Sequence, residues 1–141
     1  MSVNLKQNAD ASMGLQGTDG DDGQFIPVTF NYSSANTLLV FTLASLSRRA
    51  IVKQIYFRPD VVSTNAVTAT FYKAASGTAI GSGTALHTGT ANLQGTAATN
   101  QKMTLTASAC DVSQDSSIGM VISGALGAAG SGSVTIWLAP A

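Results

Sequence analysis

Residues 118–140 read IGMVISGALGAAGSGSVTIWLAP. Ile118, Met120 and Ile122 recur at every second position, and so do Val134, Ile136 and Leu138. That period of two belongs to a strand with one buried face, whereas a helix would repeat its apolar positions every 3.6 residues. The glycine-rich segment Gly124–Gly132 separates the two runs, and Pro140 ends the second. The pattern predicts a closing hairpin, with Trp137 on the face opposite Val134, Ile136 and Leu138.

The same period runs back toward the N-terminus. Ile26, Val28, Phe30 and Tyr32 alternate with Pro27, Thr29 and Asn31. Pro27 cannot donate a ladder hydrogen bond, which predicts an edge position for that strand. Residues Thr37–Ala44 are apolar on both faces, Leu39, Phe41 and Leu43 on one and Leu38 and Val40 on the other. Such a run suits a strand covered on both sides. Ala50–Arg58 reads as the next strand, ended by Pro59 and Asp60. Val67, Ala69 and Phe71 then face inward, with Thr68, Thr70 and Tyr72 outward. Met103, Leu105 and Ala107 alternate with Lys102, Thr104 and Thr106. Between them, residues 74–101 carry no charge beyond a possible one on His87. A structureless loop of that length is uncommon in a compact domain, so weak strands are predicted at Thr78–Ile80 and Thr84–His87.

Composition agrees. The 141 residues include 21 Ala, 16 Ser, 16 Thr and 14 Gly, so small side chains fill nearly half the chain. Charged residues make up only 10%, and Glu is absent, removing the usual material of surface helices. Val, Ile and Thr total 33 and favour a pleated surface. The class is all-β: a single-domain antiparallel β-sandwich of seven or eight strands, for which the pattern leaves sandwich and jelly-roll topologies open.

Residues 1–24 read as an extended polar N-terminal arm and residues 25–141 as the β domain. Four of the seven acids (Asp10, Asp19, Asp21, Asp22) lie in the arm beside the single base Lys6, a net −3. The body holds six bases and three acids, a net +3, and the chain sums to zero. The arm has too few large apolar residues to offset its own ordering entropy. A nucleic-acid partner is disfavoured, because phosphate neutralisation needs clustered Lys and Arg. The lone Cys110 allows no internal disulfide, residues 1–10 lack a signal peptide's apolar core, and the most apolar stretch, Leu38–Leu46, is too short to span a bilayer. The expectation is a soluble protein made in the cytoplasm, with no membrane contact.

Catalytic chemistry finds little to work with. A Ser-His-Asp arrangement would depend on His87, the one histidine, which reads as a surface residue, and no nucleophile elbow is present. Cys110 has no activating neighbour in sequence and reads as a small buried or edge residue. Asp60, Asp111 and Asp115 are the body's acids, and a glycosidase pair among them is possible but unsupported. One Cys and one His cannot build a structural zinc site. The segment Thr18–Gly23 lacks the spaced carboxylates of a calcium loop, and the glycine-rich turns lead into no helix that could hold a phosphate. The reading is no enzyme, no cofactor and no metal. Candidate interface residues are the acids Asp19, Asp21 and Asp22, the bases Arg48 and Arg58, and the outward aromatics Tyr56, Tyr72 and Trp137. Strict alternation puts Arg48 and Arg58 on one face with Val52, Gln54 and Tyr56.

The arm MSVNLKQNADASMGLQG, then GQFIPV, the strand AIVKQIYFRP and the closing IGMVISGALGAAGSGSVTIWLAP together resemble the jelly-roll cement proteins that decorate the heads of short-tailed bacteriophages. The resemblance covers most of the chain in style. It implies a jelly roll on the outside of an icosahedral head, tying capsomers together. It also implies a symmetric homo-oligomer (a dimer most simply, or a trimer), a major capsid protein as partner, a virion location after synthesis in the host cytoplasm, and no catalytic site. An alternative is a carbohydrate- or receptor-binding module of a phage fibre or adhesin, acting through Trp137, Tyr72 or Tyr56. A carbohydrate-active enzyme using Asp60 and Asp111 is a third reading.

Overall fold

The computed structural model describes residues 25–35 and 37–141, so the arm assigned to residues 1–24 lies outside the described residues. Long strands carry the fold: β1 (Ile26–Ser33), β2 (Val40–Ser45), β3 (Ala50–Val61), β4 (Thr68–Ala74), and, late in the chain, β11 (Ser117–Ile122) and β12 (Ser131–Pro140). Between β4 and β11 come two-residue strands: β5 (Thr84–Ala85), β6 (His87–Thr88), β7 (Ala91–Asn92), β8 (Gln101–Lys102), β9 (Thr104–Leu105) and β10 (Asp111–Val112). Single 3₁₀ turns occur at Ile80–Ser82 and Ala107–Ala109. Small side chains between residues 74 and 101 give few long ladders: the predicted strand at Thr84–His87 survives as β5 and the start of β6, whereas Thr78–Ile80 forms no strand and Ile80 opens a 3₁₀ turn.

All pairing is antiparallel. The first sheet runs β1-β12-β3-β10 with β8 also on β3; the second runs β2-β11-β4-β5 with β7 also on β4; β6 and β9 form a separate pair. The chain thus alternates between the sheets from β1 to β4 and again from β11 to β12, while β4 and β11 pair within the second sheet, which is the strand order of a jelly roll. This corrects the predicted closing hairpin. β11 sits between β2 and β4, and β12 sits between β1 and β3 in the other sheet. The linking residues 123–130 exceed the two to five of a hairpin loop. They cross the sandwich end, pinned by the buried Leu126, and Gly127 and Gly130 take positive φ values of 92° and 143°.

β1 lies at a sheet edge, as Pro27 predicts. β2 is also an edge strand, and this corrects its expected two-sided burial. Phe41 points into the core, but Leu38 and Val40 are 63% and 50% exposed, because among the described residues no layer packs on that outer face. β3 departs from strict alternation twice. Its register against β12 slips between Val52 and Gln54 and again between Pro59 and Val61, leaving Lys53 and Asp60 as bulges. The first bulge moves the buried set from Val52 to Ile55 and Phe57, so Val52 does not share a face with Gln54 and Tyr56. The second lets Pro59 stay within the strand instead of ending it. The expected run 102–107 breaks too, since Ala107 opens a 3₁₀ turn and is exposed.

The core lies between the sheets. Ile55, Phe57, Val134 and Ile136 from the first join Phe71, Ile118, Met120 and Ile122 from the second, all essentially inaccessible to solvent. Phe30 and Phe41 meet across the sandwich with ring centroids 5.1 Å apart. Tyr32 stacks on Phe57 at 5.3 Å, and burial, with a smaller contribution from Asp60, pushes its phenol up to about 12. The described residues offer the Tyr32 hydroxyl no hydrogen-bond partner.

A Cβ at Gly132 would overlap the Arg58 carbonyl oxygen and lie 2.7 Å from the Tyr32 hydroxyl. Gly132→Ala is expected to cost about 1–3 kcal/mol in urea unfolding, as overpacking does; a change under about 0.5 kcal/mol would contradict this packing. Tyr32→Phe removes a buried hydroxyl that gains nothing from the protein, and is expected to leave stability unchanged or raise it. A loss above about 1 kcal/mol would show that the hydroxyl is satisfied.

Candidate functional site

Strand register builds the most chemically varied surface of the described residues. On the outer face of the first sheet, β1, β12 and β3 place Pro27, Trp137 and Gln54 in one row. Thr29, Thr135 and Tyr56 form the next, extended by Lys102 on β8, and Asn31, Ser133 and Arg58 form a third. On each strand these alternate with the inward series (Val28 and Phe30, Val134 and Ile136, Ile55 and Phe57), so the pleat that fills the core presents them outward. Trp137 and Tyr56 are diagonal neighbours on adjacent strands, within reach of each other's rings.

Two shallow depressions flank this aromatic pair. One, of about 240 Å³, is lined by Tyr56, Arg58, Asn100, Ser133, Thr135 and Trp137. The other, of about 540 Å³, is lined by Phe25, Lys53, Gln54, Tyr56 and Trp137. The Lys53 ammonium sits 5.9 Å from the centre of the Phe25 ring, at the outer limit of a cation–π contact. The Arg58 Nε donates to Asp60 Oδ1 at 3.1 Å, which orients the guanidinium along the sheet surface. Both groups are about half exposed, so the pair contributes little to stability.

Of the candidate residues, Tyr56, Arg58 and Trp137 come together here. Tyr72 does not: it lies on β4, on the outside of the opposite sheet. Arg48 stands in the β2–β3 loop, beside an apolar groove of about 260 Å³ that includes Ile26, Leu46, Leu138 and Pro140. Strict alternation therefore misplaced Arg48, because it precedes the strand and the Lys53 bulge resets the count. Asp19, Asp21 and Asp22 lie outside the described residues. Sequence reasoning missed Phe25, Asn100 and Lys102. Gln54 was legible as the neighbour of Tyr56, but nothing local signalled that β8 would bring Asn100 and Lys102 to the same face.

The glycosidase pair weighed for Asp60 and Asp111 is not assembled. Asp111 pairs opposite Ile51 and Asp60 lies nine residues further along β3. At 3.3 Å per residue that is about 25–30 Å, far beyond a glycosidase pair's separation of about 5–9.5 Å. Asp111 is instead held by Arg49 through bonds of 2.8 and 2.6 Å, which keeps its carboxyl below the usual range. The Cys110 thiol is buried, donates to the Thr106 carbonyl at 3.3 Å, and is pushed up by that burial despite Lys73 and Lys53, the opposite of a reactive thiolate. Among the described residues no three His, Cys or acidic side chains cluster as metal ligands.

His87 is the correction here: it is 5% exposed, not a surface residue. Its Nε2 accepts the Phe71 N–H at 2.9 Å, so Nδ1 carries the proton and donates to the Thr88 carbonyl at 3.1 Å. The imidazole thus clamps the β6–β9 pair to β4, and its ring tilts against Phe71 at 5.5 Å.

No family model matches the chain, and no curated protein matches it. Among solved structures it is similar to a chain of the cyanophage Pam1 capsid asymmetric unit, at 15% identity and a TM-score of 0.53, over 96% of this chain and 99% of that one. It is also similar to chains of infectious bursal disease virus, Gx strain (19% identity, TM-score 0.40, 93% of this chain, 36% of that one) and Gt strain (15%, 0.38, 92% and 35%). The likeness to the cyanophage chain is one of fold, and it extends over the whole length of both chains.

Burial lowers the His87 pKa, outweighing its bond to the Thr88 carbonyl. The unfolded chain, with an imidazole near 6.5, therefore takes up the proton first as pH falls. Stability from this site is complete above about pH 6.5 and is lost as pH drops from there through the lower folded value, by at most about 1.4 kcal/mol per pH unit. Urea unfolding between pH 8 and 5 should show this slope, and His87→Gln should flatten it. An equal slope in the variant would contradict the assignment.

Proposed function

We propose that this chain is a structural protein of a viral particle that decorates the outside of an icosahedral head and ties its major shell proteins together. The observation that carries the reading is the end-to-end likeness of fold to a chain of a cyanophage capsid asymmetric unit. Two physical features support it. A chain with only 10% charged residues has a surface poorly protected against association, which suits a protein whose neighbours cover it. The described residues of the body also gather no cluster of metal ligands, and the one histidine is used structurally.

The attachment surface in this reading is the end where β1 begins. There Ile26 borders a groove with Arg48, Arg49, Leu138 and Pro140. Residues 1–24, net −3 with Asp10, Asp19, Asp21 and Asp22, directly precede β1 in the chain. The +3 body of a neighbouring copy, or a shell protein, offers the complementary charge. Self-association follows, most simply as a dimer with two-fold symmetry, or as a trimer. The particle exterior is the location this role requires, following synthesis in the host cytoplasm.

Sedimentation with purified heads tests the reading. The intact chain should co-sediment, deletion of residues 1–24 should weaken binding while the β body still folds, and replacing all four acids with Asn should weaken it less. Single Asp→Asn changes should have little effect, since an exposed pair contributes only about 0–1 kcal/mol. High salt should reduce the effect of the acids. An arm-deleted chain that binds as tightly as the intact one would contradict the assignment.

A further inference from the structure

We infer that the outer face of the β1-β12-β3 sheet is a binding site for an acidic glycan, a chain of pyranose rings bearing carboxylates. Tyr56 and Trp137 are shared by both depressions and stand between them as a common ridge. Each depression thus has an aromatic wall, and the two together accept a linear ligand longer than one ring. A pyranose presents a C–H face that packs on an aromatic ring and an equatorial rim of hydroxyls. Planar polar groups that read such a rim surround the ridge: the Arg58 guanidinium and Asn100 amide on one side, and on the other the Gln54 amide, whose Nε2 donates to the Met103 carbonyl at 3.2 Å and whose oxygen is the group offered to a ligand. Ser133 and Thr135 add hydroxyls from the central strand. A concave, part-aromatic surface with a few convergent polar groups is the usual form of a small-ligand site.

Charge selects the class of sugar. Lys53, Arg58 and Lys102 face outward around the ridge, Lys102 directly opposite Tyr56 in the register. Asp60 is the acid that meets them, and it is already paired with Arg58. The surplus is positive, and a guanidinium receives a carboxylate through two parallel hydrogen bonds. Among the described residues no second carboxylate joins Asp60 on this face, so they form no glycosidase pair there. The site does not depend on the shell-decorating role, which uses residues 1–24 and the Arg48–Arg49 end. Many copies on one particle would turn weak single-site binding into firm attachment to an acidic polysaccharide.

Trp137 is the chain's one tryptophan, so its emission reports this site alone. The full-length chain titrated with a galacturonic acid hexamer should show a saturable change in that emission, and maltohexaose should bind at least about tenfold more weakly, the share of one charged contact. By calorimetry, Arg58→Gln should lower affinity about tenfold or more and Trp137→Ala should abolish it. Tyr72→Ala, on the opposite sheet, should change nothing. Thermal melts of each variant separate loss of binding from loss of fold, and Arg58, exposed and paired only to Asp60, is the change least able to disturb the core. No emission change or heat with the hexamer, equal binding of the neutral sugar, or unchanged binding in Arg58→Gln would each overturn the inference. Emission that responds to removal of residues 1–24 but not to the hexamer would overturn it in favour of the arm as occupant. A chain that binds the hexamer but fails to sediment with heads would contradict the shell-decorating role only, and the reverse result would contradict the glycan site only.

Discussion

The contact on which the rest of the molecule depends is the apolar layer between the two sheets, where Ile55, Phe57, Val134 and Ile136 meet Phe71, Ile118, Met120 and Ile122. In a chain so rich in Ala, Ser, Thr and Gly, large apolar side chains are scarce, and the long strands spend most of theirs on this layer. Leu86, Leu93 and Val112 extend it beneath the short strands of residues 84–112, which explains how that weakly patterned stretch is held. Because one pleat face supplies the core, the other is released from stability. The outward half-buried aromatics and the cations of the first sheet are the product of that division.

Several features of the fold were legible because they are local. Alternation at Ile26–Tyr32 and Val67–Tyr72 gave both strands and, except at the exposed Ile26, their inward faces, and Pro27 gave an edge. What alternation could not reveal was where strands go after they end. The runs at 118–122 and 134–138 look like a hairpin because they are adjacent in sequence, yet jelly-roll closure sends them to opposite sheets. Their glycine-rich link carried a hint in its length. The Lys53 bulge is a register adjustment set by β12, and nothing in Val52–Lys53–Gln54 announces it. Leu38 and Val40 misled for another reason: an apolar side chain is not thereby a buried one.

The candidate site was legible in part. Tyr56, Arg58 and Trp137 were picked out as outward residues on separate strands, and strand pairing brought them together. Tyr72 had the same local signature and ended on the opposite sheet. Asn100 and Lys102 were invisible as site residues because their place depends on β8 docking against β3, a long-range pairing in an almost unpatterned segment. His87 was misread because its partner, the Phe71 main chain, carries no side-chain signal at all.

A shell-decorating protein occupies its lattice in regular stoichiometry, whereas a fibre module or an enzyme carried along does not. Quantitative mass spectrometry of purified particles therefore tests the central claim most directly. The account predicts this chain in a fixed, simple ratio to the major shell protein. Its absence from the particle, or its presence in only a few copies per particle, would contradict that claim.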